Sequence, residues 1–250
     1  MSGHSKWSTI KRKKAVTDAK KGQAFTRLAR EITIAAREGG GNSETNFSLR
    51  LAMDKARAEN MPNENIERAI RRGTGEDKEA AAIEQVTYEG FGPHGVALMI
   101  ECLTDNRNRT VADLRHALTR HGGTLGEAGS VGWQFDRVAF FAFLDKSHTE
   151  DQIFELAVDA GAGDVWYENG DVEITGPVES FKRIGDGLKG IGITVTDAGL
   201  RWRAKQEVEL SSNATLQVMK AIEAAEEMEE VQNIAYNLKI SDEALEKIAA

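Results

Sequence analysis

Asp164-Val165-Trp166-Tyr167-Glu168-Asn169-Gly170-Asp171-Val172-Glu173-Ile174-Thr175 reads as two short strands joined by a tight turn. β-branched and aromatic residues flank an Asn-Gly pair, which tolerates the positive φ that a hairpin turn requires. Working outward, residues 138–144 predict a strand and 150–160 a helix closed by Gly161, while 178–189 predict a second helix and 194–197 a last strand. In chain order this is βαββαβ, the split βαβ or ferredoxin-like arrangement, which places two helices on one face of a four-stranded antiparallel sheet.

The flanks of this unit carry strand and helix patterns of their own. Val86-Thr87-Tyr88-Glu89, the turn 90–95 and the apolar run 96–103 predict a hairpin, followed by a helix over 110–121 and a strand over 131–135. The glycines of the turn do not make a phosphate loop, since no Gly-Lys-Ser/Thr follows and the segment leads into a strand. Beyond the central unit come a strand over 203–209, a helix over 213–230 and a strand over 231–236. Joined, the two flanks supply a second βαββαβ set, so 136–202 is expected as an insertion in a discontinuous middle domain made of 79–135 and 203–250.

Residues 1–78 are expected as a basic arm and a helical bundle. Phe25, Leu28, Ala29, Ile32, Ala35 and Ala36 recur at helical spacing up to Gly39-Gly40-Gly41, a second helix begins after Asn46, and Met61-Pro62-Asn63-Glu64 opens a third. The expected fold class is α+β: an N-terminal three-helix domain followed by two ferredoxin-like βαββαβ domains, the last inserted into the middle one.

Charge is distributed very unevenly over this layout. Up to Arg30 the chain holds nine Lys or Arg (Lys6, Lys11, Arg12, Lys13, Lys14, Lys20, Lys21, Arg27 and Arg30) and one acid, in a chain of formal net charge −8. Residues 1–72 carry 16 basic and 8 acidic side chains, and residues 73–250 carry 16 basic and 32 acidic. A concentrated cationic arm on an acidic protein points to a polyanionic partner that the remainder of the chain avoids. Those nine cations, with Trp7 among them, are the candidate nucleic-acid-binding residues. The third helix offers Asn63, Asn65 and Arg68 in a helix-turn-helix reading, but charge is densest in the arm, which implies contact mainly with phosphates. A second candidate contact is the stretch Thr104-Asp105-Asn106-Arg107-Asn108-Arg109-Thr110. There Asn106, Arg107, Asn108 and Arg109, with Arg115, offer more hydrogen-bonding capacity than a turn needs; helix capping and local ion pairs are the plain alternative.

Signals for chemistry are sparse. HExxH, CxxC, GxSxG, kinase and P-loop patterns are absent, and the five histidines are scattered. The lone Cys102 sits among apolar neighbours, as a buried small hydrophobe does, and one cysteine points to a reducing compartment. Glu89, Glu101, Asp105 and Asp113 could in principle form a nuclease-like metal site, without any spacing that specifies one. The expectation is a non-enzymatic, cytoplasmic protein with no cofactor, no metal, no membrane span and no small-molecule substrate. A mitochondrial transit peptide is the other reading of the basic start, and the dense Lys run fits it poorly.

Several motifs together resemble the YebC family: Gly-His-Ser-Lys-Trp at 3–7, Ile10-Lys11 with the basic run, Ala35-Ala36-Arg37 before the glycines, Asn60-Met61-Pro62 leading to Ile66-Glu67-Arg68-Ala69-Ile70, Tyr88-Glu89-Gly90, residues 101–110, and Gly129-Ser130-Val131. The resemblance is most specific through residue 135. It implies a three-domain α+β protein usually described as a DNA-binding transcriptional regulator. It also implies an alternative, a ribosome-associated RNA-binding translation factor that helps synthesis through proline-rich stretches, so that duplex DNA, ribosomal RNA or the ribosome is the expected partner.

Overall fold

The computed structural model of the protein describes residues 18–77, 82–241, 243, 244 and 247. Three helices come first, α1 (Asp18–Gly39), α2 (Phe47–Ala58) and α3 (Asn63–Thr74). Their apolar stripes close on one another: Leu28, Ile32 and Ala36 of α1, Leu49 and Ala56 of α2, and Ile66 and Ala69 of α3 are buried in one cluster. Asn46 caps α2 by accepting from the Leu49 N–H at 3.0 Å, and its amide donates to the carbonyls of Ala35 and Gly40. One side chain thereby starts the second helix and ties it to the end of the first. The close of α3 against α1 needs a glycine: a Cβ on Gly73 would lie 2.3 Å from the Thr33 carbonyl oxygen. One turn earlier, the Thr33 hydroxyl donates to the Ala69 carbonyl at 3.1 Å.

The chain then builds β1 (Glu84–Phe91), β2 (Ala97–Thr104), α4 (Arg107–Arg120) and the two-residue β3 (Thr124–Leu125). Next come β4 (Phe135–Leu144), α5 (Glu150–Asp159), β5 (Asp164–Glu168), β6 (Asp171–Pro177), α6 (Phe181–Gly190) and β7 (Asp197–Ala204), and finally β8 (Val208–Glu209), α7 (Ser212–Glu226), β9 (Val231–Tyr236) and β10 (Leu238–Lys239). Strands β4 to β7 form an antiparallel sheet in the order β5-β6-β4-β7, which is the ferredoxin-like βαββαβ arrangement. At its hairpin Asn169 and Gly170 take φ of 54° and 89°, the two positive values of a type I′ turn. Phe141, Ile153, Ile174, Ile184 and Leu188 fill the space between this sheet and its helices.

The other four-stranded sheet is antiparallel in the order β3-β1-β2-β9. One face is covered by α4 and α7 through Leu114, Leu118, Val218 and Ile222 packed on Leu98, Ile100 and Ile234. The fold class is the α+β one expected, but the chain order of this sheet is ββαβ followed by αβ, and not βαββαβ. Residues 131–135 are not its strand. The Glu89 carboxylate accepts the N–H groups of Gly129, Val131 and Gly132 at 2.8, 2.7 and 2.7 Å, taking donors a ladder would need. The chain turns through a 3-10 helix at Gly132–Gln134, and Phe135 already belongs to β4. Residues 203–209 also divide: up to Ala204 they complete β7, and Val208–Glu209 pairs in parallel with β10.

The parts are locked together. Ala97, Met99 and Ala235 on the second face of the central sheet bury against Val131, Phe135, Trp202 and Ala204, beside an Arg137–Glu101 ion pair at 2.6 Å. From the helical layer, Ile34 meets Ile83 and Leu103, and Phe47 packs on Phe181 and Phe141 with ring centroids 5.9 and 6.3 Å apart. Lys55 lies 2.7 Å from Asp197 and 3.3 Å from Glu31. Burial by itself would lower the Lys55 ammonium, and the two carboxylates more than offset it, so that its pKa is raised.

Candidate nucleic-acid interface

The contact between α1 and α3 leaves a groove of about 380 Å³ along the two helices, reaching the loop before α4. Buried Met61 and Ile83, with Phe25, give it an apolar floor, exposed Arg68 marks its rim, Arg30 and Arg72 also line it, and Asp77 and Asp105 add two acids. On α3, Asn65, Arg68 and Arg72 recur at three- and four-residue spacing, so that all three line one side. The sequence pattern singles out Asn65 and Arg68 but not Arg72 or the apolar floor. The signal available was that spacing, matched by Phe25, Ala29 and Thr33 on α1.

The sequence-predicted arm residues Lys6, Trp7, Lys11, Arg12, Lys13 and Lys14 lie outside the described residues. The backbone of Lys20 and Lys21 is in the first turns of α1. With a rise of ~1.5 Å per residue, Lys21 is about 6 Å along the axis from Phe25, at the head of the groove. Arg27 is engaged within the molecule. Its guanidinium donates to the carbonyls of Glu226 and Met228, satisfying acceptors at the C-terminus of α7 where a cation also meets the helix dipole. Burial lowers its pKa, an effect that Glu226 and Glu31 oppose. Arg30 is 3.6 Å from Glu230 with only 13 % of its side chain exposed, and its Nη1 is buried without an acceptor among the described residues.

The second predicted set is organised mainly by internal contacts. Asn106 is the N-cap of α4, accepting from the Arg109 N–H at 3.0 Å. Arg107 pairs with Glu84 at 2.5 Å. Arg109 bridges Asp105 at 3.0 Å and Glu230 at 2.9 Å, and its pKa is raised by the hydrogen bond and charge of Glu230, with Asp105 adding to it. Asn108 and Arg115 are exposed. Glu230 thus joins the two sets, with Arg30 from the first and Arg109 from the second meeting one carboxylate. Asp105 also lines the groove, so the loop borders it.

The four carboxylates considered for a metal site do not converge. Glu89 holds the 129–132 loop; burial would raise its pKa, and three backbone donors bring it below the usual range. Glu101 pairs with Arg137, Asp105 with Arg109, and Asp113 is exposed. Among the described residues no group of three or more His, Cys, Asp or Glu is placed to hold a metal ion. The Cys102 thiol is pushed up to about 12 by burial, with Glu230 and Glu101 adding to it, which leaves it protonated near neutrality. Among the described residues no helix is long and apolar enough to cross a membrane.

Two family models match the chain: one described as the TACO1/YebC protein N-terminal domain over residues 5–76, and one described as the TACO1/YebC second and third domain over residues 83–238. A probable transcriptional regulatory protein of Syntrophus aciditrophicus is 44% identical over 250 residues, covering 100% of both chains. One of Dictyoglomus turgidum is 47% identical over 250 residues, again 100% of both. Among solved structures, a conserved hypothetical protein from Aquifex aeolicus is similar with a TM-score of 0.82 and 38% identity, over 92% of this chain and 94% of that one.

Proposed function

Because the chain belongs to the TACO1/YebC family, we propose that it is a non-enzymatic regulatory protein that works by binding nucleic acid, in the transcriptional role that its relatives' names carry. In this reading it is a DNA-binding transcriptional regulator. The observation that carries it is positive charge concentrated in one part of an acidic protein. Nine Lys or Arg against one acid run up to Arg30, and they lead into the helix that shares a groove with Arg68 and Arg72. Lys6, Trp7, Lys11, Arg12, Lys13, Lys14, Lys20 and Lys21 are the contacting residues, Arg30 and α3 extend the surface, and Arg27 anchors it to α7. Asn108 and Arg115 are the members of the second set best exposed for a further contact.

The test is the salt dependence of affinity for duplex DNA. If four arm cations meet phosphates, log affinity falls against log salt with a slope of about −3.6. Changing Lys11, Arg12, Lys13 and Lys14 to Glu abolishes the binding. Salt-independent binding, or binding unaffected by the reversed arm, overturns the proposal. An RNA partner in translation, at the ribosome, is the second reading, favoured by a lysine-rich arm suited to a structured polyanion recognised by charge and shape; crosslinking in cells followed by sequencing of the bound nucleic acid separates promoter DNA from ribosomal RNA.

A further inference from the structure

A phosphate backbone alone does not account for the shape of the groove between α1 and α3. Contacts to phosphates are made by cations, polar side chains and backbone amides. This groove has an apolar floor of Phe25, Met61 and Ile83 beneath its arginine rim. Its volume of about 380 Å³ lies near the lower end of the ~300–1,000 Å³ usual for small-molecule sites. That is room for one nucleoside and not for a double helix.

We propose that this groove takes a single unpaired nucleotide, its base against the apolar floor and its phosphate at the arginine rim. The proposal rests on the nucleic-acid-binding reading and specifies what part of the nucleic acid enters. Three observations carry it. Phe25 supplies an aromatic ring at the floor, the kind of surface on which splayed bases stack. Asn65 borders the groove with an amide that both donates and accepts, matching the mixed donor and acceptor pattern of a base edge. Arg30, almost buried, lines the same groove with its Nη1 lacking an acceptor among the described residues. A buried charged donor without an acceptor is costly to maintain, and a small rotation of the side chain toward the groove would bring it to a base oxygen, ring nitrogen or phosphate oxygen there. Arg68, paired at 3.2 Å with Glu64 but 61 % exposed, is free to swing to a phosphate at the rim.

A nucleotide can reach such a site from an RNA loop or bulge, or from a base extruded from DNA. The experiment uses the full-length protein and four probes: a blunt duplex and the same duplex with one bulged nucleotide, each in RNA and in DNA. The expected result is binding of a bulged probe roughly 10-fold tighter than its blunt counterpart, the contribution of about one stacked base. The RNA and DNA arms show which source supplies it. Ala29→Met, which fills the groove from α1, should remove the bulge preference and leave blunt-duplex affinity within ~2-fold, and Asn65→Ala should lower the affinity for the bulged probe more than that for the blunt one. Both variants are checked for unchanged thermal unfolding. A 2-aminopurine at the bulge should lose fluorescence on binding as it stacks, and keep it with Ala29→Met.

Equal affinity for bulged and blunt probes overturns the inference while nucleic-acid binding stands. So does a bulge preference that survives Ala29→Met. Failure to bind any probe overturns the underlying function as well.

Discussion

Two arginine-rich regions of this molecule look alike in sequence and differ in what surrounds them. In the loop and first turns of α4, Arg107 and Arg109 are matched by Glu84, Asp105 and Glu230 at 2.5 to 3.0 Å. In the helical layer, the α1–α3 groove has Arg30, Arg68 and Arg72 around an apolar floor, and Arg30 keeps a buried nitrogen without an acceptor among the described residues. Both sets meet carboxylates, Arg30 with Glu230 and Arg68 with Glu64 in the second; what differs is that the helical layer sets its arginines around an apolar concavity. That difference makes the helical layer the better candidate interface, and it can be attacked from either side.

Between these two regions the larger effect is expected in the groove. Changing Arg68 and Arg72 together to Glu should lower affinity for nucleic acid about 100-fold at low salt and flatten the log–log salt dependence by about 1.8 if both meet phosphates. A fluorescence anisotropy titration across salt concentrations reads both. An unchanged slope would mean that the groove is not on the contact surface.

Next is Glu230→Ala, which removes the acid shared by Arg30 and Arg109. With only 12 % of the Glu230 side chain exposed, its loss should lower stability by about 2 kcal/mol, measured by urea unfolding. Affinity for nucleic acid should rise a few-fold, because Arg30 loses the Glu230 carboxylate and Arg109 keeps only that of Asp105. A folded variant with unchanged affinity would show that compensation is not what silences the loop.

The contrast also explains what the sequence made legible. The ferredoxin-like sheet could be read almost completely, because its signals are local: Asn169-Gly170 dictates its turn, and alternation and helical spacing dictate the rest. Where partners are distant, reading failed. Val131 to Phe135 has strand composition, yet the N–H groups of Val131 and Gly132 go to Glu89, some forty residues away, and those of Gln134 and Phe135 to carbonyls within the stretch. Arg27 and Arg30 have the composition of a nucleic-acid arm, but they meet Glu226 and Glu230 about two hundred residues later. Binary pattern specifies an element's type, and only three-dimensional packing specifies which carboxylate a given cation finds. The apolar floor of the groove was hidden for the same reason, since Phe25, Met61 and Ile83 come from three separate segments.

Glu89 extends the comparison to an acid whose charge is consumed by backbone. Its pKa is depressed in the folded protein because three N–H donors outweigh the effect of burial. Its contribution is therefore fully present above the ordinary carboxylate pKa of about 4.3 and is lost as pH falls through the lower folded value. Glu89→Gln should cost about 1 kcal/mol near neutrality, allowing for solvent screening. It should also make stability less sensitive to acid, a change read from urea midpoints at several pH values. Equal acid sensitivity in both proteins would assign the 129–132 loop to other contacts.

The smallest effect belongs to Arg107→Ala. Its pair with Glu84 is short, 2.5 Å, but the two side chains are 63 % and 50 % exposed, so water and salt screen the attraction and ordering two long side chains offsets much of it. Unfolding free energy should change by less than ~0.5 kcal/mol. Affinity for nucleic acid should stay within about 2-fold, since a charge already matched by Glu84 displaces few counterions from a polyanion. The same substitution at Arg68 removes a charge whose partner Glu64 is 80 % exposed and 3.2 Å away, a pair that phosphate can outcompete. If Arg107→Ala weakened binding as much as Arg68→Ala, the tightness and exposure of the carboxylate pair would not distinguish the two regions, and the loop would have to be counted as part of the interface.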